Sequence, residues 1–193
     1  MNAIYKISCL ILYPVIHLMY PMKIAGRKNI PEGATIICSN HSDAIDPVLL
    51  GFAVGPKVVI HFMAKAELFR NRFLSLLIKL YGGFSIDRGK NDISAMRTAI
   101  RLLNKGEAIG IFPEGHRTEN DDPSSGKTGT VRLAAKLKAP VLPVYMSRKK
   151  RLFRRINVRI GEPYFISAKD KKDYPVLAEE LMKRIYDLRE PEL

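Results

Sequence analysis

Residues able to do chemistry gather first in "CSNHSDAIDPVLL", Cys38 to Leu50, which sets His41 and Asp46 on either side of a strand-to-helix turn. "TIICS" before it reads as a short buried strand, and "PVLLGFAV" after it as the start of a helix. Pro47 suits the first helical position and Asp46 the N-cap ahead of it. The proline also pushes Asp46 out of the α region. On one regular helix, side chains five positions apart face different ways; across a turn that curls back they can meet. A histidine held by a carboxylate can take a proton from a hydroxyl group. The plain alternative is a helix cap beside a chance histidine.

Two more polar clusters follow apolar strands: Asp87-Arg88 after "GGFSI", and Glu114 with Arg117 after "EAIGIF". Parallel sheets collect their sites beyond the carboxyl ends of the strands, so the three clusters could face one pocket. Arginine grips phosphate with a rigid fork of donors. One base, two arginines and a carboxylate therefore suit chemistry on a phosphorylated alcohol. The plain readings are a solvated ion pair at a turn for Asp87-Arg88 and a loop cap for Glu114 and Arg117. His61 and His116 read as packing or surface histidines. The run Arg148–Arg155, with six basic residues, reads as a solvated hairpin that could instead touch anionic lipid.

The elements that must position these groups alternate. Strands are expected near 34–38, 57–65, 83–89, 107–112 and 140–146, and helices at 71–82, 92–106, 131–139 and 176–190. In 92–106, Ile93, Met96, Ile100 and Leu103 share one face and Gly106 is placed as the stop. The pattern implies an α/β domain over 23–193, with a mostly parallel central sheet flanked by helices. The polar loop 113–130 is long, and long loops in compact domains are often functional.

At 193 residues the chain suits one domain with a real core. A net charge of +13 favours anionic partners: nucleic acid, an anionic membrane or a phosphorylated substrate. Cys9 and Cys38 lie in apolar surroundings and form neither a disulfide framework nor a metal site, so a reducing compartment is expected. Residues 1–22 read as an N-terminal membrane-embedded helical segment. The uncharged run Ile7–Met22 is shorter than the roughly 20 residues a spanning helix needs. Pro14 is expected to kink or break it, and Lys23, Arg27 and Lys28 follow at once. One or two short helices in a single leaflet fit this best, the alternative being a buried core helix. The expected location is membrane-associated, on the cytoplasmic face.

"NHSDAID", "GGFSIDRG", "IFPEGHRT" and "VLPVYM" come in that order from residue 40 to about 146. In set, order and spacing they resemble the blocks of the glycerolipid acyltransferase family, in particular 1-acyl-sn-glycerol-3-phosphate acyltransferases. "MAKAELF" and "GKTGTVRLA" resemble two lesser signatures. The resemblance implies that His41 is the base and Asp46 orients it. The deprotonated acceptor would attack the thioester of acyl-CoA or acyl-carrier protein directly, without an acyl-enzyme. Asp87, Arg88, Glu114, Gly115 and Arg117 would place the glycerol phosphate, with Arg117 on the phosphate itself. Lys65 and Lys127 would be secondary phosphate contacts, and Pro143 would bind the acyl donor or shape the site. Oxyanion donors are expected among backbone amides near the opening motif or the Phe-Pro-Glu-Gly turn. The implied partners are lysophosphatidic acid, the acyl donor and an anionic membrane surface, with no nucleic acid, no metal and no cofactor. Another lysophospholipid or lipid alcohol is the alternative acceptor. A non-enzymatic basic protein would explain the charge and the Arg148–Arg155 run alone. His116 fills a variable slot, Thr118 replaces a commoner serine, and the acidic "ENDDP" is expected to repel anionic lipid locally.

Overall fold

The computed structural model describes residues 3–86 and 93–189. The chain runs α1 (Ala3–Met19), β1 (Met22–Ala25), β2 (Thr35–Ser39), α2 (Asp46–Val54), β3 (Ile60–Lys65), α3 (Arg72–Leu80) and β4 (Phe84–Ile86). It continues with α4 (Ile93–Asn104), β5 (Ala108–Ile111), α5 (Thr128–Leu137), β6 (Val141–Met146), β7 (Ile156–Ile160) and α6 (Tyr174–Tyr186). Seven strands form one sheet in the order β1-β7-β6-β2-β5-β3-β4. Every pairing is parallel except β6 with β7.

Two apolar layers cover the sheet. On one face, Ile37, Leu142, Val144 and Val158 pack with Cys9 of α1 and with Leu49, Leu50 and Phe52 of α2. On the other, Ile36, Cys38 and Ile109 meet Leu103 of α4, Val131 and Leu133 of α5, and Leu181 and Ile185 of α6. Successive side chains of a strand point to opposite faces, so β2, covered on both, is buried at all five residues. β2 pairs with β6 on one side and β5 on the other. The loops leaving β6, β2 and β5 at their carboxyl ends therefore lie side by side.

The first helix corrects the expected effect of Pro14: α1 is a single helix with the proline inside it. An interior proline costs about 3 kcal/mol, and packing of the inner stripe offsets it. Cys9, Tyr13 and Ile16 join the core layer, and the Tyr13 ring lies 6.0 Å from that of Phe52. Seventeen residues make a helix of about 25 Å, short of the roughly 30 Å hydrocarbon core of a bilayer. No helix among the described residues is long and apolar enough to cross a membrane.

Gly26, at the end of β1, takes a φ of 83° and lies against the last residue of β7. A Cβ there would come within 1.9 Å of the Ile160 carbonyl oxygen. Gly26→Ala is expected to lower unfolding stability by about 3 kcal/mol, combining left-handed strain with a clash against backbone. Urea unfolding measures it, and an unchanged midpoint would mean the β1–β7 edge yields freely.

Candidate active site

The turn after β2 curls back, as the two sides of the motif require. His41 Nδ1 lies 2.9 Å from Asp46 Oδ2. Asp46 is the first residue of α2 and not its N-cap, which is Ile45, and its carboxylate faces back toward the turn. Oδ2 also accepts the Ser42 and Asp43 amides at 2.7 and 2.9 Å. The carboxylate thus organises the turn that carries the histidine, a use that leaves the helix's own amides to other partners.

Asp46 is fully buried, and Lys150 Nζ lies 2.7 Å from its Oδ1. Burial opposes ionisation. The hydrogen bond from His41, the charge and hydrogen bond of Lys150 and the Asp43 amide outweigh it and hold the Asp46 pKa below its ordinary value. An ionised carboxylate only accepts, so Nδ1 of His41 carries the proton and Nε2 presents a lone pair. Among the described residues nothing bonds Nε2. The ring stacks on Phe112, centroids 4.2 Å apart, and this fixes its plane.

Glu114 enters from the β5 loop and is also fully buried. Its Oε2 accepts the His41 backbone N–H at 2.7 Å. Its Oε1 accepts from Arg148 Nη2 at 2.9 Å and from the Tyr186 hydroxyl at 2.7 Å. Both oxygens are engaged by the protein, and through Oε2 Glu114 holds the backbone of His41. Thr118 N–H donates to the His41 carbonyl at 2.9 Å, so the β5 loop grips both sides of that residue's backbone. Asn40 ties the end of β2 to β6, donating to the Met146 carbonyl at 2.9 Å and accepting its N–H at 2.8 Å.

The basic run after β6 is not simply solvated. Arg148 turns inward to Glu114, Asp121, Tyr186 and Thr118. Lys150 has a side chain 0% exposed and donates to Ser42 Oγ at 2.6 Å. The acidic loop behaves the same way: Asp121 pairs with Arg148 and Arg189, and Asp122 caps the turn at Ser124. Asp121 thus neutralises the inward-turned Arg148, Asp122 is used by its own turn, and only Glu119 of the three remains an exposed, unengaged carboxylate among the described residues. No local signal marks Lys150: it lies past the end of β6, and its inward position depends on Asp46 and Ser42 across the site.

The other expected site residues fall in several places. Arg117 is exposed on the turn after Glu114, and nothing among the described residues pairs with its guanidinium. Gly115 takes a φ of 76°, which lets this turn form, and the Lys127 stem lies over it. Lys127 is exposed at the start of α5. Lys65 ends β3 and pairs with Glu67 at 3.4 Å. Pro143 is buried in mid-strand, tolerated because the β6–β7 ladder begins only at Val144. Asp87 and Arg88 lie outside the described residues. His61 bonds the Gly82 carbonyl at 2.8 Å, and His116 is exposed. Of the amides proposed for an oxyanion, those of His41, Ser42 and Asp43 are engaged by carboxylates, while those of His116 and Arg117 have no partner among the described residues.

A histidine with one nitrogen fixed by a carboxylate and the other without a partner among the described residues, at the carboxyl edge of a parallel sheet, is an arrangement suited to taking a proton from an acceptor group. The chain belongs to the Acyltransferase family, whose model matches residues 21–147. It is 34% identical over 194 residues to the 1-acyl-sn-glycerol-3-phosphate acyltransferase of Bacillus subtilis (strain 168), covering 95% of this chain and 96% of that protein. It is 36% identical to the Streptococcus pneumoniae (strain ATCC BAA-255 / R6) protein of the same name, over 68% of this chain and 50% of the other. The crystal structure of the 1-acyl-sn-glycerophosphate (LPA) acyltransferase PlsC from Thermotoga maritima superposes with a TM-score of 0.68 at 26% identity, covering 98% of this chain and 79% of that one.

Proposed function

We propose that this acyltransferase moves an acyl group from acyl-CoA or acyl-carrier protein to the sn-2 hydroxyl of lysophosphatidic acid, giving phosphatidic acid. The observation that carries this reading is the Nε2 of His41, which has no partner among the described residues, with Nδ1 held by Asp46. Nε2 takes the hydroxyl proton, the oxygen attacks the thioester carbon, the C–S bond breaks, and the proton returns to the departing thiolate. The oxyanion of the intermediate needs donors, and the amides of His116 and Arg117, without partners among the described residues, are the candidates. The route needs no metal and no organic cofactor.

Arg148 and Lys150 neutralise internal carboxylates, while Arg117 and Lys127 remain exposed beside the site. That division supports Arg117 as the phosphate contact, with Lys127 and Lys65 secondary and Asp87 and Arg88 completing the glycerol phosphate site. The acceptor is a lipid, so the site works at the cytoplasmic face of a membrane, with α1 lying in one leaflet. Its outward residues Leu10 and Leu18 are 78% and 70% exposed, which supports the in-plane reading.

Purified protein given lysophosphatidic acid and a long-chain acyl-CoA, then acyl-carrier protein as donor, tests the reaction by formation of phosphatidic acid. No product with either donor, but product with another lysophospholipid, would move the acceptor assignment. Arg117→Ala is expected to lower kcat/KM for lysophosphatidic acid about 10–100-fold, the worth of a charge-assisted contact. Its use of a neutral monoacylglycerol is expected to stay unchanged. Equal losses on both acceptors would remove Arg117 from the phosphate.

A further inference from the structure

The segment between β6 and β7 faces two ways. Arg148 and Lys150 turn into the site, and immediately afterwards Leu152 and Phe153 turn out, 50% and 68% exposed. Phe153 holds a φ of 61°, in the left-handed region that bulky residues rarely adopt. Glycine or asparagine would be at ease there, yet the position carries an aromatic ring projecting into solvent. Packing does not account for it.

The backbone joins this tip to α1. Phe153 N–H donates to the Met19 carbonyl at 2.7 Å, and Ile156 N–H to the Pro21 carbonyl at 2.8 Å. Leu18, next to Met19, is exposed, as are Val15, Ile11 and Leu10 on the preceding turns of the same helix. The tip is thus tied by its backbone to the C-terminal end of α1, a helix whose outer residues are themselves apolar and exposed. Around the tip Lys149, Arg151, Arg154 and Arg155 are all exposed, and no acidic residue occurs between Arg148 and Gly161.

We propose that Leu152 and Phe153 form a wedge that enters the acyl-chain boundary of an anionic bilayer, with the four surrounding cations at the lipid phosphates. This deepens, and rests on, the reading of the enzyme as one that works on a membrane-borne lipid. A bilayer fits better than a protein partner. A fluid anionic surface complements a ring of like charges wherever the flexible side chains lie, whereas a folded partner would need acids placed to match each one. The wedge also sets the site's distance from the membrane. Lys150, two residues before Leu152, is fastened to Asp46 and Ser42, so a short stretch of backbone links the inserted tip to the catalytic pair.

The chain contains no tryptophan, so Phe153→Trp supplies a single fluorescent reporter. With vesicles of phosphatidylglycerol and phosphatidylcholine its emission is expected to shift to shorter wavelength and to be quenched by brominated acyl chains. Pure phosphatidylcholine is expected to give a much weaker response. The double variant Leu152→Ser/Phe153→Ser is expected to bind the anionic vesicles about tenfold more weakly or worse, from the apolar area withheld. It is expected to retain its turnover on a short-chain, monomeric lysophosphatidic acid. A reporter that stays unshifted and unquenched while the protein sediments with the vesicles would overturn the wedge and leave the membrane reading standing. No sedimentation at all, with turnover of the soluble acceptor intact, would overturn wedge and membrane reading together and spare the acyl-transfer chemistry. A shift with heparin and none with vesicles would reassign the patch to a soluble polyanion.

Discussion

Replacing His41 with alanine is expected to lower kcat about 10³–10⁴-fold, the range for loss of a positioned general base with its orienting partner. The KM for the acceptor is expected to change little, because the ring would act on the hydroxyl in the transition state while the proposed phosphate contact, Arg117, is a separate residue. The expectation follows from the protonation state that the surroundings impose. Asp46 is ionised, so Nδ1 donates and Nε2 is the only ring atom left to accept a proton. Asp46→Asn is the informative companion. An amide in that place can donate to Nδ1, which would put the proton on Nε2 and disable the base with little change in shape. The fold is expected to survive His41→Ala, since Lys150 and the Ser42 and Asp43 amides still hold Asp46. Acyl transfer at saturating acceptor, with thermal unfolding as the control, measures both. A His41→Ala protein keeping more than about a tenth of the parent turnover would remove the histidine from proton transfer, whose contribution is of order 10²–10⁴.

The parts of this site that sequence reveals are the local ones. A strand, a turn and a proline-started helix between Thr35 and Val54 are short-range features that set His41 near Asp46, although Glu114, Thr118 and Lys150 from distant loops then hold the pair in place. The alternation of strand and helix from 35 to 146 likewise announces a parallel sheet, because parallel neighbours need crossovers. What stayed hidden depends on which strands become neighbours. β1 pairs with β7 across most of the chain, and β7 turns back antiparallel beside β6. That arrangement places Arg148 and Lys150 against Glu114 and Asp46, whereas in sequence a run of six cations around two apolar residues looks like surface. The partners of Asp121 are hidden for the same reason, since Arg148 and Arg189 come to it from distant parts of the chain. Pro14 shows the opposite limit, a local rule overridden when the core packs against the helix that the proline interrupts.

Lys150→Met is the second change expected to have a large effect. The methionine fills a similar volume and removes the ammonium that faces Asp46 Oδ1 from inside the protein. Breaking a buried pair from one side leaves the other charge uncompensated, a loss of about 3 kcal/mol. His41 and two amides still support Oδ2, which keeps the fold intact. The pH dependence gives the assignment away. A carboxylate with a lowered folded-state pKa contributes stability that is present above its unfolded value, about 4, and lost as pH falls through the folded value. Without Lys150 the folded pKa rises, so variant and parent are expected to differ most near neutral pH and to converge as Asp46 becomes protonated in both. Turnover is expected to fall about 10²-fold, the cost of a misplaced catalytic group, with KM for the acceptor nearly constant. Lys150→Arg, which keeps the charge but not the compact fit, is expected to recover stability better than turnover. Denaturant unfolding from neutral pH down to well below the ordinary carboxylate value of about 4, beside steady-state kinetics, separates the roles. A stability gap that does not narrow with falling pH would show that Lys150 acts through packing or Ser42, and not through the charge of Asp46. An unchanged kcat would show that the orientation of the carboxylate is set entirely by the turn's own amides.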